Sequence, residues 1–134
     1  MEKLELSELK FPAMRAELIS YLQWLSSAEY QYNAWVARAD PSLAYDEFNY
    51  VVHFLYDDTD LATDADSWVG LIFRGESEAL AISEVVRSLD VIFEKYGTAL
   101  SDAEYLTKSE WAYVIESSKH ALLELSCARE IEEK

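Results

Sequence analysis

Hydrophobic side chains recur every three or four residues along most of the chain, the pattern of helices that bury one face. The pattern is clearest between Glu76 and Tyr96. Its apolar positions there are Ala79, Ile82, Val85, Val86, Leu89, Ile92, Phe93 and Tyr96. Gly97 follows and is a typical helix stop. The spacing therefore predicts a long helix over Glu76–Tyr96.

Weaker versions of the pattern predict two helices in the N-terminal part. Pro12 suits the first turn of a helix, where its missing N–H costs nothing. A second helix is expected to begin near Ala28, with Ser26 and Glu29 as a capping box. We expect it to end before Asp40-Pro41, because the residue before a proline avoids the helical region.

The remaining apolar spacing predicts a third helix from about Ala44 to Tyr56 and a last helix from about Ser109 to Arg129. The stretch between Asp57 and Asp66 is interpreted as a loop or broken turn, with Asp64 or Asp66 capping a short segment Ser67–Phe73. Two further capping boxes are expected, Ser101 with Glu104 and Thr107 with Glu110. With about six helices, no strand and no linker, residues 1–134 are predicted to form a single all-α domain.

Composition supports this fold class. Three glycines and two prolines are too few for the turns of an all-β domain, and 51% apolar residues argue against disorder. The only cysteine, Cys127, excludes an internal disulfide. No apolar run approaches the roughly 20 residues of a membrane span, and Met1–Lys10 lacks the apolar core of a signal peptide. We therefore expect a cytoplasmic protein with no membrane partner.

The charge is large and unevenly placed. The net charge is −15, yet no lysine or arginine occurs between Arg38 and Arg74. That interval holds eight acids: Asp40, Asp46, Glu47, Asp57, Asp58, Asp60, Asp64 and Asp66. Large aromatic residues alternate with them. An acidic surface can simply keep a protein dispersed, but this placement also favours an acidic, aromatic face for a partner.

Candidate chemistry is sparse. His53 lies four residues before Asp57 and four after Asn49, but a metal site needs more ligands of the right type. We interpret His53 as bonded to a neighbouring carboxylate or tyrosine. Asp58 and Asp60 resemble the start of a calcium loop, which lacks its glycine here.

The second histidine offers no catalytic site either. His120 follows Glu116 by four residues, as in an acid–base dyad, but no motif places a nucleophile near it. We predict no catalytic residue, no metal and no cofactor, and hence no enzyme. The eleven basic residues are dispersed and there is no glycine-rich loop, so nucleic acid is not an expected partner.

The four tryptophans divide into two pairs. Trp24 and Trp111 are interpreted as core residues. Trp35 and Trp68 lie beside or within the acidic interval, and tryptophan is a frequent anchor of interfaces. The predicted partner-binding residues are Asp57, Asp58, Asp60, Asp64, Asp66, Tyr56, Trp68 and Trp35.

Three segments carry a family resemblance: Tyr30-Gln31-Tyr32-Asn33-Ala34-Trp35, then His53-Phe54-Leu55-Tyr56-Asp57-Asp58, then Tyr105-Leu106 ahead of Trp111 and Val114. From about Pro12 to Leu125 the chain resembles a family of short acidic bacterial proteins of unassigned function. By type, its size, acidity and helical content resemble the immunity proteins of contact-dependent growth inhibition systems.

The second resemblance implies a cytosolic protein that binds and neutralises one cognate toxin, often a nuclease with a basic cleft. An acidic face would suit such a partner. Two alternatives stay open, an acidic regulatory or adaptor protein and a DNA mimic. The oligomeric state is left open as well.

Overall fold

A computed structural model describes residues 4–33 and 47–132, and most of these residues are helical. The helices are α1 (Pro12–Leu25), α2 (Ala28–Gln31), α3 (Glu47–His53), α4 (Leu61–Asp64), α5 (Glu76–Tyr96), α6 (Asp102–Leu106) and α7 (Trp111–Glu132). Shorter turns flank them: 3-10 turns at Leu6–Glu8 and Ala65–Trp68, and a π turn at Phe54–Asp58. The described residues contain no strand, only an isolated bridge between Val69 and Phe73. The all-α prediction is confirmed.

The centre of the fold is the antiparallel pair α5 and α7, with α1 packed against α7. Ser88 and Ser117 meet between the two long helices with hydroxyls 3.2 Å apart, and Lys95 reaches back to Glu110. Small side chains at these crossing positions let the helix backbones approach closely. Leu18, Leu22 and Leu25 of α1 are buried in the same core.

Helix α5 has the bounds that its spacing predicted. Gly97 ends it with φ of 83°, a left-handed conformation that glycine adopts without strain. Six of the eight predicted inward positions are buried: Ala79, Ile82, Val85, Val86, Leu89 and Ile92. Phe93 and Tyr96 are partly buried and pack against the core. The hydrophobic spacing of the sequence therefore predicts both the ends of this helix and most of its buried face.

Two predicted caps are wrong in detail. Ser27, not Ser26, caps α2 by accepting a hydrogen bond from the backbone N–H of Tyr30 at 3.1 Å. Thr107 and Glu110 form no capping box, because the Glu110 carboxylate is bonded to the side chains of Lys95 and Tyr96. Helix α7 accordingly begins at Trp111, two residues later than predicted. The Ser101–Glu104 capping box is confirmed.

Two predicted boundaries lie outside the described residues. These are the end of the second helix before Asp40 and the start of the third helix at Ala44. Within the described part, α2 continues into π-type turns at residues 32–33, and α3 buries Phe48 and Val51.

A buried glutamine joins two of the tryptophans. The Gln31 side chain is almost fully buried; its Nε2 donates to the carbonyl of Trp24, and its Oε1 accepts from Nε1 of Trp111 at 2.9 Å. Trp111 is buried and Trp24 packs partly exposed against the core. Their assignment as core residues is therefore confirmed. In the part of the chain that the structure describes, none of the helices combines the length and apolar character needed to cross a membrane.

Candidate functional site

The five predicted aspartates lie along one surface segment between α3 and α5, and all five are exposed. We call this set the acidic ridge: Asp57, Asp58, Asp60, Asp64 and Asp66. It begins in the π turn, passes along α4 and ends in the 3-10 turn before Trp68.

The ridge segment is a series of short helical turns interrupted at Thr59 and Asp60, which agrees with the expectation of a loop or broken turn, and its apolar and hydroxyl residues hold it in place. The buried Thr59 hydroxyl donates to the carbonyl of Phe54 at 2.7 Å and accepts from the backbone N–H of Leu61 at 3.2 Å. Leu61 and Ala65 insert into the core on the inner side. Since apolar residues anchor one side of the segment, the acids between them face water. The predicted Asp64 or Asp66 cap is absent, because neither side chain makes a capping hydrogen bond.

The charge of the ridge is scarcely neutralised within the protein. The Asp57 carboxylate accepts a hydrogen bond from the His53 ring, with Oδ2 and Nδ1 2.6 Å apart and both side chains 60% exposed. This contact is the one expected for His53. Among the described residues, the carboxylates of Asp58, Asp60, Asp64 and Asp66 have no hydrogen-bond or ion-pair partner. The ridge is thus a row of hydrated negative charges.

The two aromatic residues of the predicted site lie at the inner edge of the ridge. Tyr56 is half-buried, packs against Phe93 with ring centroids 6.1 Å apart, and donates its hydroxyl to Asp90 at 2.6 Å. Burial, followed by the bond to Asp90, raises the pKa of Tyr56 well above its usual value, so the hydroxyl remains a donor at neutral pH. Trp68 is also half-buried and lies 6.4 Å from Phe11 between ring centroids. Trp35 lies outside the described residues.

A groove separates the ridge from α5. Its volume is about 420 Å³, and we call it the α4–α5 groove. Its lining residues are Leu61, Ala62, Thr63, Ala65, Ser83, Val86, Arg87, Asp90, Val91 and Glu94. The α5 wall adds two carboxylates, Asp90 and Glu94, opposite the ridge. The sequence did not predict Asp90 or Glu94 as part of the site. Their spacing places them on one side of α5, but it does not show that α4 faces that side.

The described residues offer no metal centre, because nowhere do three potential ligands come together. Glu116 lies 4.0 Å from Lys119, and among the described residues no hydrogen bond or ion pair joins it to the exposed His120. The arrangement can bind cationic groups through charge and shape.

Comparison with known proteins places this architecture in a family. A sequence model described as Domain of unknown function (DUF7945) matches residues 9–133. The chain belongs to this family. The matched range contains the acidic ridge, the α4–α5 groove and every helix from α1 to α7, so the candidate site is part of the family's domain. No curated protein and no solved structure matches the chain.

Proposed function

We propose that the protein is a bacterial immunity protein that binds and neutralises one cognate basic toxin domain, of the nuclease type. The binding face consists of the acidic ridge together with Tyr56, Trp68 and Trp35. One observation carries the proposal: four exposed carboxylates of the ridge have no internal hydrogen-bond or ion-pair partner among the described residues.

The physical argument starts from the partner. A nuclease that binds the phosphate groups of its substrate needs lysine or arginine side chains in its cleft. A row of carboxylates complements that cleft, steers the encounter at long range and disfavours partners of the same sign. Because Thr59, Leu61 and Ala65 hold the segment in place, the backbone that carries the carboxylates is largely positioned before binding, which reduces the entropy lost in the complex.

The rest of the molecule is consistent with an inhibitor that acts by covering the basic cleft of its toxin. Such a protein needs neither a cofactor nor a catalytic group, only a rigid scaffold and a complementary face. We place it in the cytoplasm, where an incoming nuclease toxin meets its substrate.

The direct test begins with the neighbouring genes: a neighbour whose C-terminal region is a small basic domain is the toxin candidate. Its expression should arrest growth, and co-expression of this protein should restore growth and give a purified one-to-one complex. A ridge variant with Asp57, Asp58 and Asp60 changed to asparagine should protect less. Its matched control changes Glu29, Glu76 and Glu116 to glutamine, removing the same charge elsewhere, and should protect like the parent.

Two results would count against the proposal. If the neighbouring domain is harmless or is not bound, the immunity role fails for that pair. If the protein instead binds several unrelated DNA-binding proteins and is displaced from them by DNA, the DNA-mimic alternative is correct.

A further inference from the structure

We propose that the α4–α5 groove receives a single arginine side chain of the partner protein. This inference rests on the proposed function, because it specifies how a basic partner is held beside the acidic ridge. It concerns residues of α5 that no sequence pattern connects to the ridge.

The walls of the groove suit the aliphatic part of an arginine. Leu61, Ala65 and Val86 are buried beneath it, while Ala62 and Val91 are partly exposed at its sides. The three methylene groups of arginine can pack on Ala62 and Val91, while the charged end reaches the polar groups that make up most of the exposed lining. The groove, at about 420 Å³, has room for one such side chain with its water.

Asp90 supplies an oriented acceptor. Tyr56 donates to its Oδ1 at 2.6 Å, which fixes the carboxylate on the wall of the groove. Among the described residues, the second oxygen, Oδ2, accepts no hydrogen bond. Asp90 is half-buried, where a charge-assisted hydrogen bond is stronger than in open water. A guanidinium group bonded to Oδ2 would therefore meet a carboxylate already held in position.

The other charges around the groove favour a cation. Glu94 lies one turn beyond Asp90 on the same side of α5. The exposed ridge residues Asp60 and Asp64 are next in sequence to lining residues of the opposite wall. Arg87 is the one cationic side chain among the described lining residues, and it is exposed. An incoming cation would be repelled by Arg87 and attracted by the acids, so the two kinds of residue should affect binding with opposite sign.

Arginine fits this groove better than lysine. A guanidinium group is more weakly hydrated than an ammonium group, and its planar fork can bond two acceptors at once. A mostly polar groove with a half-buried carboxylate, Asp90, on its wall suits both properties. Arginine is also among the residues that most often dominate interface energies.

The test uses a small probe in place of the partner. N-acetyl-arginine amide is titrated into the full-length protein while methyl signals of Ala62, Ala65, Val86 and Val91 are followed by NMR. N-acetyl-citrulline amide is the matched control, because it has nearly the same shape and no charge. We expect saturable shifts at the groove methyls with arginine, and much weaker ones with citrulline.

Three variants sharpen the test. Asp90→Asn should weaken arginine binding by roughly tenfold, the loss of one charge-assisted hydrogen bond. Glu94→Gln, at an exposed position, should weaken arginine binding less than Asp90→Asn. It tests the same groove if Asp90→Asn does not fold well. Arg87→Gln should tighten binding, since it removes a like charge.

Equal shifts with arginine and citrulline, no shift at the groove, or weaker binding by Arg87→Gln would overturn the groove assignment. Those results leave the proposed function standing if the protein still neutralises its toxin and the ridge variant still fails to do so. Conversely, a parent protein that does not neutralise the toxin refutes the proposed function, whatever the groove binds. A ridge variant that neutralises as well as its control refutes the ridge as the binding face.

Discussion

Arg15 and Glu78 form a two-point ion pair inside the protein, with Nη1–Oε1 2.8 Å and Nη2–Oε2 3.1 Å apart. Their side chains are 6% and 0% exposed. The same guanidinium donates to the carbonyls of Ile72 and Leu125, each at 2.8 Å. One side chain of α1 thus joins the start of α5, the turn before it and α7.

Breaking this pair should be very damaging. Glu78→Gln leaves the Arg15 charge buried without its counter-charge, and removal of one partner from a buried pair costs about 3–5 kcal/mol. That is a large part of the stability of a typical domain. Urea unfolding should show the loss. Glu116→Gln, in a pair with both side chains more than half exposed, is the control and should change stability little. Equal midpoints for the two variants would show that the Arg15–Glu78 pair does not stabilise the fold.

The sequence could not reveal this pair. Arg15 and Glu78 are 63 residues apart, and each occupies a helix position that hydrophobic spacing alone assigns no special role. The same spacing did predict α5 to the residue and the start of α1 at Pro12, because these boundaries depend on local periodicity, glycine and proline. Long-range contacts between polar groups have no such local signal.

Leu89 should be essential to the core. It is fully buried in the middle of α5, so Leu89→Asp would place an unpaired charge among apolar side chains. We expect the variant to lose its cooperative thermal transition. Leu80→Asp is the matched control, on the same helix but 64% exposed, and should melt close to the parent. Melting of Leu89→Asp near the parental temperature would mean that α5 is not central to the fold.

Glu110 should titrate at unusually low pH. The bond from Lys95, followed by the backbone of Glu110 and the Tyr96 hydroxyl, lowers the pKa of this carboxyl from 4.5 to about 2. A carboxyl with a lower pKa in the folded protein adds stability above its unfolded pKa and loses that contribution as the pH falls through the folded one. Here the window lies between pH 4.5 and about 2.

Carboxyl NMR signals followed against pH would measure this value directly. In Lys95→Met the pKa of Glu110 should move back toward 4.5. The melting-temperature difference between the parent and Glu110→Gln should also shrink as the pH falls through the window. A Glu110 that titrates near 4.5 in the parent would contradict the Lys95–Glu110 contact.

The candidate site was predictable in part. The acids between Asp57 and Asp66 stand out in the sequence because they cluster without a basic residue, and they are indeed exposed. The sequence did not indicate that Leu61 and Ala65 would fix them as short helical turns, since each apolar anchor is a single residue. It also could not show that Asp90, on a helix with its own clear pattern, faces them across a groove.

The central claim is that the acidic ridge recognises a basic partner. The most direct measurement is the association rate with the toxin domain at several salt concentrations. The parent is compared with the Asp57, Asp58 and Asp60 to asparagine variant and with the charge-matched Glu29, Glu76 and Glu116 to glutamine control. Exposed carboxylates contribute little to stability, so all three proteins should melt alike.

At low salt the ridge variant should associate roughly tenfold more slowly than the control, and its rate should depend less on salt, because steering charges have been removed from the contact face. Identical rates and salt dependence for the ridge variant and the control would contradict the claim. The ridge would then be only a hydrated surface.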